Sequence, residues 1–244
     1  MSRPVVARPS RSAGSTRSAA WRAPLLLAAA IGGLSVPLVG AQETGAATPK
    51  VHPLKKAIRY AQASQQAAEA LPSYTATLRR REIVAGQPID NTVAMKFRAE
   101  PFSVYMRFTN RENDGRQVLY VEGANDGKIM VREAAGLSSL AGTVNLAPDS
   151  PLIAKNSRHP ITRAGLANLA GGVIDQWTKE SRYGECDVKY FANAELNGRP
   201  VVVIESSHPV PRREFRYART RLWMDKETRL PVRLQQYEFR RDGG

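Results

Sequence analysis

Between Thr92 and Thr109 the side chains alternate with a period of two, and this limits the fold more than any other feature of the chain. Val93, Met95 and Phe97 share one side, while Thr92, Lys96 and Arg98 mostly line the other. Glu100-Pro101 breaks the run. Phe102, Val104, Met106 and Phe108 then alternate with Ser103, Tyr105, Arg107 and Thr109. Successive side chains of a strand point to opposite faces, so the stretch predicts antiparallel strands with one wet face and one dry face.

The flanking sequence extends the pattern. Tyr74, Ala76 and Leu78 alternate with Thr75, Thr77 and Arg79 ahead of a turn at Gly86-Gln87-Pro88. Asn113-Asp114-Gly115 turns the chain into a strand at 118–121, and Asn125-Asp126-Gly127 is a hairpin signal leading to 129–131. Periodicity then stops. Residues 136–159 scatter Gly, Ser, Pro and Asn among apolar side chains. A connection this long is either a lid or rim, or a connector with a short strand near 143–146.

Two helices frame these strands. The first begins near Pro53 and carries Leu54, Ile58, Ala61, Ala68 and Leu71 at helical spacing, a narrow stripe that Pro72 ends. The second follows His159-Pro160-Ile161-Thr162, with Thr162 as N-cap. Its stripe of Leu166, Leu169, Val173, Ile174 and Trp177 is wide enough to lie on a sheet. Gly171-Gly172 inside it permits close packing on that sheet. Strands resume at 188–191, turn at Asn197-Gly198, and continue at 201–204, between Arg213 and Met224, and at 232–239. Asp225-Lys226-Glu227-Thr228-Arg229 turns the last pair. This order predicts an α+β fold. Its economical form is one strongly curved antiparallel sheet of about nine strands, an open half-barrel, with both helices on the concave face. A single domain over residues 51–240 accommodates it.

The N-terminus reads differently. Of the net charge of +14, Arg3, Arg8, Arg11, Arg17 and Arg22 supply five, with no acid among residues 1–41, which leaves +9 on the remainder. A basic start, an apolar stretch at 23–39 and Val39-Gly40-Ala41 match a secretory signal cleaved before Gln42. Gly32, Gly33, Ser35 and Pro37 interrupt the stretch, which is short for a membrane span. Residues 42–50, rich in Ala, Gly and Thr, read as a flexible leader. No cysteine stands near the cleavage point, so the chain is expected in the periplasm or cell envelope without a lipid anchor. Its one cysteine, Cys186, excludes an internal disulfide framework.

Catalytic motifs are hard to assemble. Gly136-Leu137-Ser138-Ser139-Leu140 lacks the final glycine of a nucleophile elbow. His52, His159 and His208 each precede a proline and match no metal-ligand spacing. The pairs Glu112/Asp114 and Asp225/Glu227 fall in turns, where carboxylates are solvated. No metal or cofactor is expected. Arg79-Arg80-Arg81, Arg212-Arg213 and Arg216/Arg219/Arg221 read as a solvated sheet face, or as contacts for an anionic membrane surface. Export and the lack of interleaved aromatics set nucleic acid aside.

Some blocks carry a resemblance. Residues 100–108, Tyr120-Val121-Glu122-Gly123, and Arg158-His159-Pro160-Ile161-Thr162 with Gly165 and Leu166 resemble an exported domain-of-unknown-function family abundant in planctomycete-type bacteria. The likeness runs from about Leu54 to Phe239 and implies no activity. The 222–233 hairpin, Leu222 to Arg233, also resembles the closing hairpin of lipoprotein carriers of the LolA/LolB type. That resemblance implies an open barrel closed by helices around a cavity for acyl chains. Met95, Phe97, Phe102, Val104, Met106 and Phe108, with Trp177 and Trp223, are then the expected ligand-binding residues. Two methionines among aromatics suit a flexible apolar ligand. The same residues also read as an ordinary helix-covered core. The resulting expectation is a non-enzymatic exported protein holding a lipid, an acyl chain or another apolar ligand. The alternatives are a ligand-free envelope interaction module acting through its basic face, and a hydrolase drawing on His159, His208, Cys186 or the loop carboxylates.

Overall fold

The computed structural model describes residues 51–239, except 85, 135, 137, 138, 141, 155 and 156. The expected signal segment, the leader, and Leu137-Ser138 of the serine stretch lie outside the described residues. A compact unit spans Thr48–Gly244.

Within it, β1 (Ser73–Val84), β2 (Gln87–Arg98), β3 (Ser103–Phe108), β4 (Gln117–Val121), β5 (Ile129–Arg132) and β6 (Thr143–Leu146) form a six-stranded antiparallel meander. A second meander of four strands contains β7 (Asp187–Leu196), β8 (Arg199–Ser207), β9 (Arg219–Asp225) and β10 (Pro231–Tyr237). The α+β class and the antiparallel pairing stand. The single sheet of about nine strands does not, because the described residues build two sheets from ten strands. The added strand, β6, lies in the long connection and pairs with β5.

Helix placement differs as well. α1 (Leu54–Glu69) and α3 (Leu166–Glu180) pack against each other and on the four-stranded sheet. Their core joins Leu54, Ala57, Ala61, Val173 and Trp177 to Ile204, Leu222 and Met224. Small residues at Ala57 and Ala61 let the helices approach closely. Gly171 serves the same contact, since a Cβ there would stand 3.2 Å from Gln65 Nε2 of α1, while one at Gly172 would meet nothing. The glycine pair thus admits a helix rather than the sheet. α3 starts later than expected. Ile161–Arg163 is a separate 3-10 turn, and Gly165, with φ of 110°, precedes the helix in place of Thr162. No helix among the described residues is long and apolar enough to cross a membrane.

Turn chemistry follows the sequence closely. Asn197 and Gly198 both take positive φ between β7 and β8, as a two-residue hairpin requires. Asp225 corrects an expectation: its carboxylate is buried rather than solvated. It accepts hydrogen bonds from the Thr228 and Glu227 amides and the Thr228 hydroxyl, and pairs with Arg199 at 2.9 Å. These bonds hold its carboxyl below the usual range. The turn is tied to α1 by the Ser64 hydroxyl, which donates to the Arg229 carbonyl at 2.7 Å.

Candidate functional site

The dry face of the six-stranded sheet is built row by row from its register. One row runs Tyr74, Phe97, Val104 and Tyr120; the next runs Ala76, Met95, Met106 and Val118. Met95, Val104, Ile129 and Val131 are buried in this cluster, but most of its members are only partly buried. Neither long helix belongs to it. The side chains that pack onto it from outside the sheet include Ile153, Ile161 and Ala164, which come from the connection between β6 and α3. α2 (Pro151–Ala154), a single turn, carries the first of them. Of the two readings of this connection, the structure contains elements of both: a short strand and a strap.

The strap is fastened along β1. The Leu166 amide donates to the Tyr74 hydroxyl at 2.8 Å, and burial pushes that phenol up despite the bond. Gly165 lies so close to Phe97 that a Cβ would stand 2.7 Å from the ring. Further along, Arg80 donates to the Ser157 hydroxyl at 2.8 Å. Arg158 then joins the ends of two sheets, with its guanidinium 2.5 Å from Glu238 and its amide 3.4 Å from Glu82.

Aromatic rings line the strapped end. Tyr74 stacks on Phe97 at 4.7 Å, Phe97 meets Phe102 edge-on at 5.6 Å, and Phe102 meets Tyr120 at 6.1 Å. The opposite end turns polar. Leu78, Val93 and Phe108 form the last apolar row, and beyond it Arg80, Asn91, Asn113 and Arg116 surround a hollow of about 260 Å³. Asn113 donates to the buried Asn91 side chain at 3.2 Å, and Arg116 pairs with Glu133 at 2.9 Å. The face is therefore amphipathic along its length.

Of the eight expected ligand-binding residues, Met95, Phe97, Phe102, Val104 and Met106 come together in this cluster. Phe108 lies on the same face, one row further, at the polar hollow. Trp177 is elsewhere: it is fully buried between α3 and the four-stranded sheet, with its indole N–H on Ser206 at 2.9 Å. Trp223 points away from both cores, beside Val203 and Arg233, whose guanidinium sits 5.1 Å from the ring centroid.

Arg80 was grouped with Arg79 and Arg81 as solvated. Only those two are exposed; Arg80 turns to the dry face, where burial pulls its guanidinium down while Glu82 opposes the change. Extending the Tyr74, Ala76, Leu78 alternation by one step finds it. Four of the other clustered arginines are engaged. Arg212 pairs with Glu185 and Arg221 with Glu205, while Arg216 and Arg219 lie over Tyr217 and Tyr237.

Two of the groups named for a hydrolase, Cys186 and His208, are buried in structural contacts. Burial, with Glu180 and Asp187 adding to it, pushes the Cys186 thiol up to about 12, so the reactive thiolate is suppressed. His208 is buried with Nδ1 on the Glu185 carbonyl at 2.9 Å and Nε2 3.1 Å from Glu180, an ion-pair contact outside regular hydrogen-bond geometry. His159 is exposed on the strap. Among the described residues, no three metal-ligating side chains converge.

Comparison with known proteins adds a family and a set of fold likenesses. No curated protein matches the sequence. The chain is similar to lipoprotein LppX of Mycobacterium tuberculosis, at 14% identity and a TM-score of 0.41 over 74% of this chain and 86% of that one. It is also similar to an outer membrane lipoprotein-sorting protein domain from Vibrio parahaemolyticus, at 15% identity and a TM-score of 0.34 over 75% and 72%. A LolA superfamily protein from Nitrosomonas europaea matches at 11% identity and a TM-score of 0.26 over 74% and 70%. Likenesses this distant carry no argument about a ligand. The profile of one family matches residues 71–243, beginning where α1 has ended rather than at Leu54. The chain belongs to the family described as a protein of unknown function, DUF1571.

Proposed function

We propose that this protein is an exported, non-enzymatic binding protein that holds an acyl chain or similar apolar ligand on the dry face of its six-stranded sheet. One observation carries the reading: among the described residues neither long helix covers that face as α1 and α3 cover the other sheet, and a short strap leaves its aromatics and Met106 partly exposed. A chain laid along Ala76, Met95, Met106 and Val118 gains about 0.8 kcal/mol per buried methylene, less the cost of displacing the strap. Methionine adapts to such a ligand without repacking the sheet. The polar end suits the head of an amphipathic molecule, and the aromatic end suits its tail.

The test is native mass spectrometry of the chain purified from an exporting host, followed by organic extraction. Co-purifying lipid that is lost in Met106→Asp, with the circular dichroism spectrum kept, supports the reading. A bare mass and no uptake on challenge with lipid would sink it. They would favour a ligand-free interaction module, the reading to which the exposed basic face of the same sheet also points.

A further inference from the structure

The wet face of the six-stranded sheet carries positive charge that the fold does not neutralise. By register, Arg79 and Arg81 of β1, Lys96 and Arg98 of β2, Arg107 of β3 and Arg132 of β5 share this face. All six are exposed. Asp90 is the one acid at a described strand position facing the same way, and it is taken by Arg81 at 2.7 Å. Among the described residues the other five make no ion pair. Turns following Arg98 and Val121 bring Glu100 and Glu122 to one end only.

In the middle of this array stands Ala94, whose short side chain leaves a hollow of about 540 Å³ lined by Thr75, Thr77, Lys96, Tyr105 and Arg107. Lys96 and Arg107 sit diagonally across β2 and β3, roughly 7–8 Å apart at the backbone, and both line the hollow, with Lys96 Nζ 5.8 Å from the centroid of the Tyr105 ring. Thr75 and Thr77 line the same space. Beside it on the same face are the half-buried Leu119, Val121 and Met130.

We propose that this face docks on an anionic phospholipid surface and seats a headgroup phosphate in the Ala94 hollow, between Lys96 and Arg107. A two-dimensional array of cations interspersed with apolar side chains complements a charged lipid surface better than it does a soluble polyanion. Each basic side chain near such a surface adds to binding, and the additions multiply. The docking does not require the dry face to hold a ligand: vesicle binding without lipid uptake leaves it standing, and lipid uptake without vesicle binding overturns it alone.

The experiment is flotation of the protein, purified from an exporting host, with vesicles of phosphatidylcholine alone or mixed with phosphatidylglycerol. Binding should need the anionic lipid and weaken with salt. Lys96→Glu with Arg107→Glu should lower the partition coefficient by more than about tenfold. Lys55→Glu with Arg59→Glu on α1, an equal change of charge, should lower it less than about threefold, since those residues lie on the other sheet's cover. Ala94→Leu should weaken binding several-fold with no change of charge. Equal losses in the two double variants, or equal binding to phosphatidylcholine alone, would overturn the proposal. So would stabilisation by inorganic phosphate with no vesicle binding, which would make the hollow a site for the free ion.

Discussion

The two sheets are made of the same hairpins, yet only one is finished as a core. Over the four-stranded sheet, α1 and α3 seal the apolar layer, and several polar groups beneath them pair with one another. Trp177 donates to Ser206, and Gln176 donates to Thr220 and Glu180 while accepting from Gln236. Over the six-stranded sheet a strap replaces the helices, and apolar side chains stay half-buried. Unsatisfied polar groups are costly inside a closed core, and the paired side chains under the helices avoid that cost by bonding to one another. An apolar face kept partly open costs stability, and such a face usually marks a binding surface.

The comparison is tested first where the two cores should differ most. Trp177→Ala removes the largest fully buried side chain and the partner of Ser206, and should cost about 3–5 kcal/mol in urea unfolding. Met106→Ala on the other face should cost only about 1–2 kcal/mol, because half-buried methylenes lose less on truncation. Equal costs would mean that the six-stranded face is an ordinary core and that the contrast is wrong.

The buried pair of Glu180 and His208 sharpens the contrast through pH. Burial works to lower the imidazole, but the Glu180 carboxylate and the Glu185 carbonyl outweigh it and hold His208 above its ordinary 6.5. The folded state therefore binds the proton more tightly than the unfolded state. Its contribution is complete below about pH 6.5 and is lost as pH rises through the folded value. Glu180→Gln should destabilise the protein by about 3 kcal/mol at pH 6, since it leaves a buried partner unmatched. The gap between wild type and variant should narrow as pH rises to 8.5, as read from urea midpoints. A gap that widened with pH would show that the histidine is held neutral.

Much of this layout was legible in the sequence, but only where the signal is local. Alternation through Phe108 placed the dry face and six of its side chains, because strand period and burial are short-range properties. Asn197-Gly198 placed its hairpin for the same reason. Partition into two sheets was not legible, since it depends on which strands fail to pair. Nor was the helices' choice of the four-stranded sheet, so Trp177 was assigned to the wrong core. Glu180 and His208, on α3 and just beyond β8, look like surface residues until the helix docks.

The strap offers a smaller test. Gly165→Ala adds a methyl group 2.7 Å from the Phe97 ring at a φ of 110°. It should cost about 1–3 kcal/mol. Because Gly165 fastens the strap to the dry face, the loss should come with faster amide exchange at 161–166 and greater uptake of an apolar dye. Destabilisation without either change would mean that the strap is not what limits access.

The smallest effects separate two adjacent glycines in α3. A methyl group at Gly172 meets open space and gains helix propensity, so Gly172→Ala should stabilise the protein by about 0.5–1 kcal/mol. Gly171→Ala gains the same propensity but presses on the Gln65 amide of α1 at 3.2 Å. That side chain has to give by a few tenths of an ångström, so the benefit should shrink toward zero. The difference reports how tightly the helical lid is closed. If both variants stabilise equally in urea unfolding, α1 and α3 have slack between them. The four-stranded side would then be less finished, and the two halves of the molecule more alike, than their packing indicates.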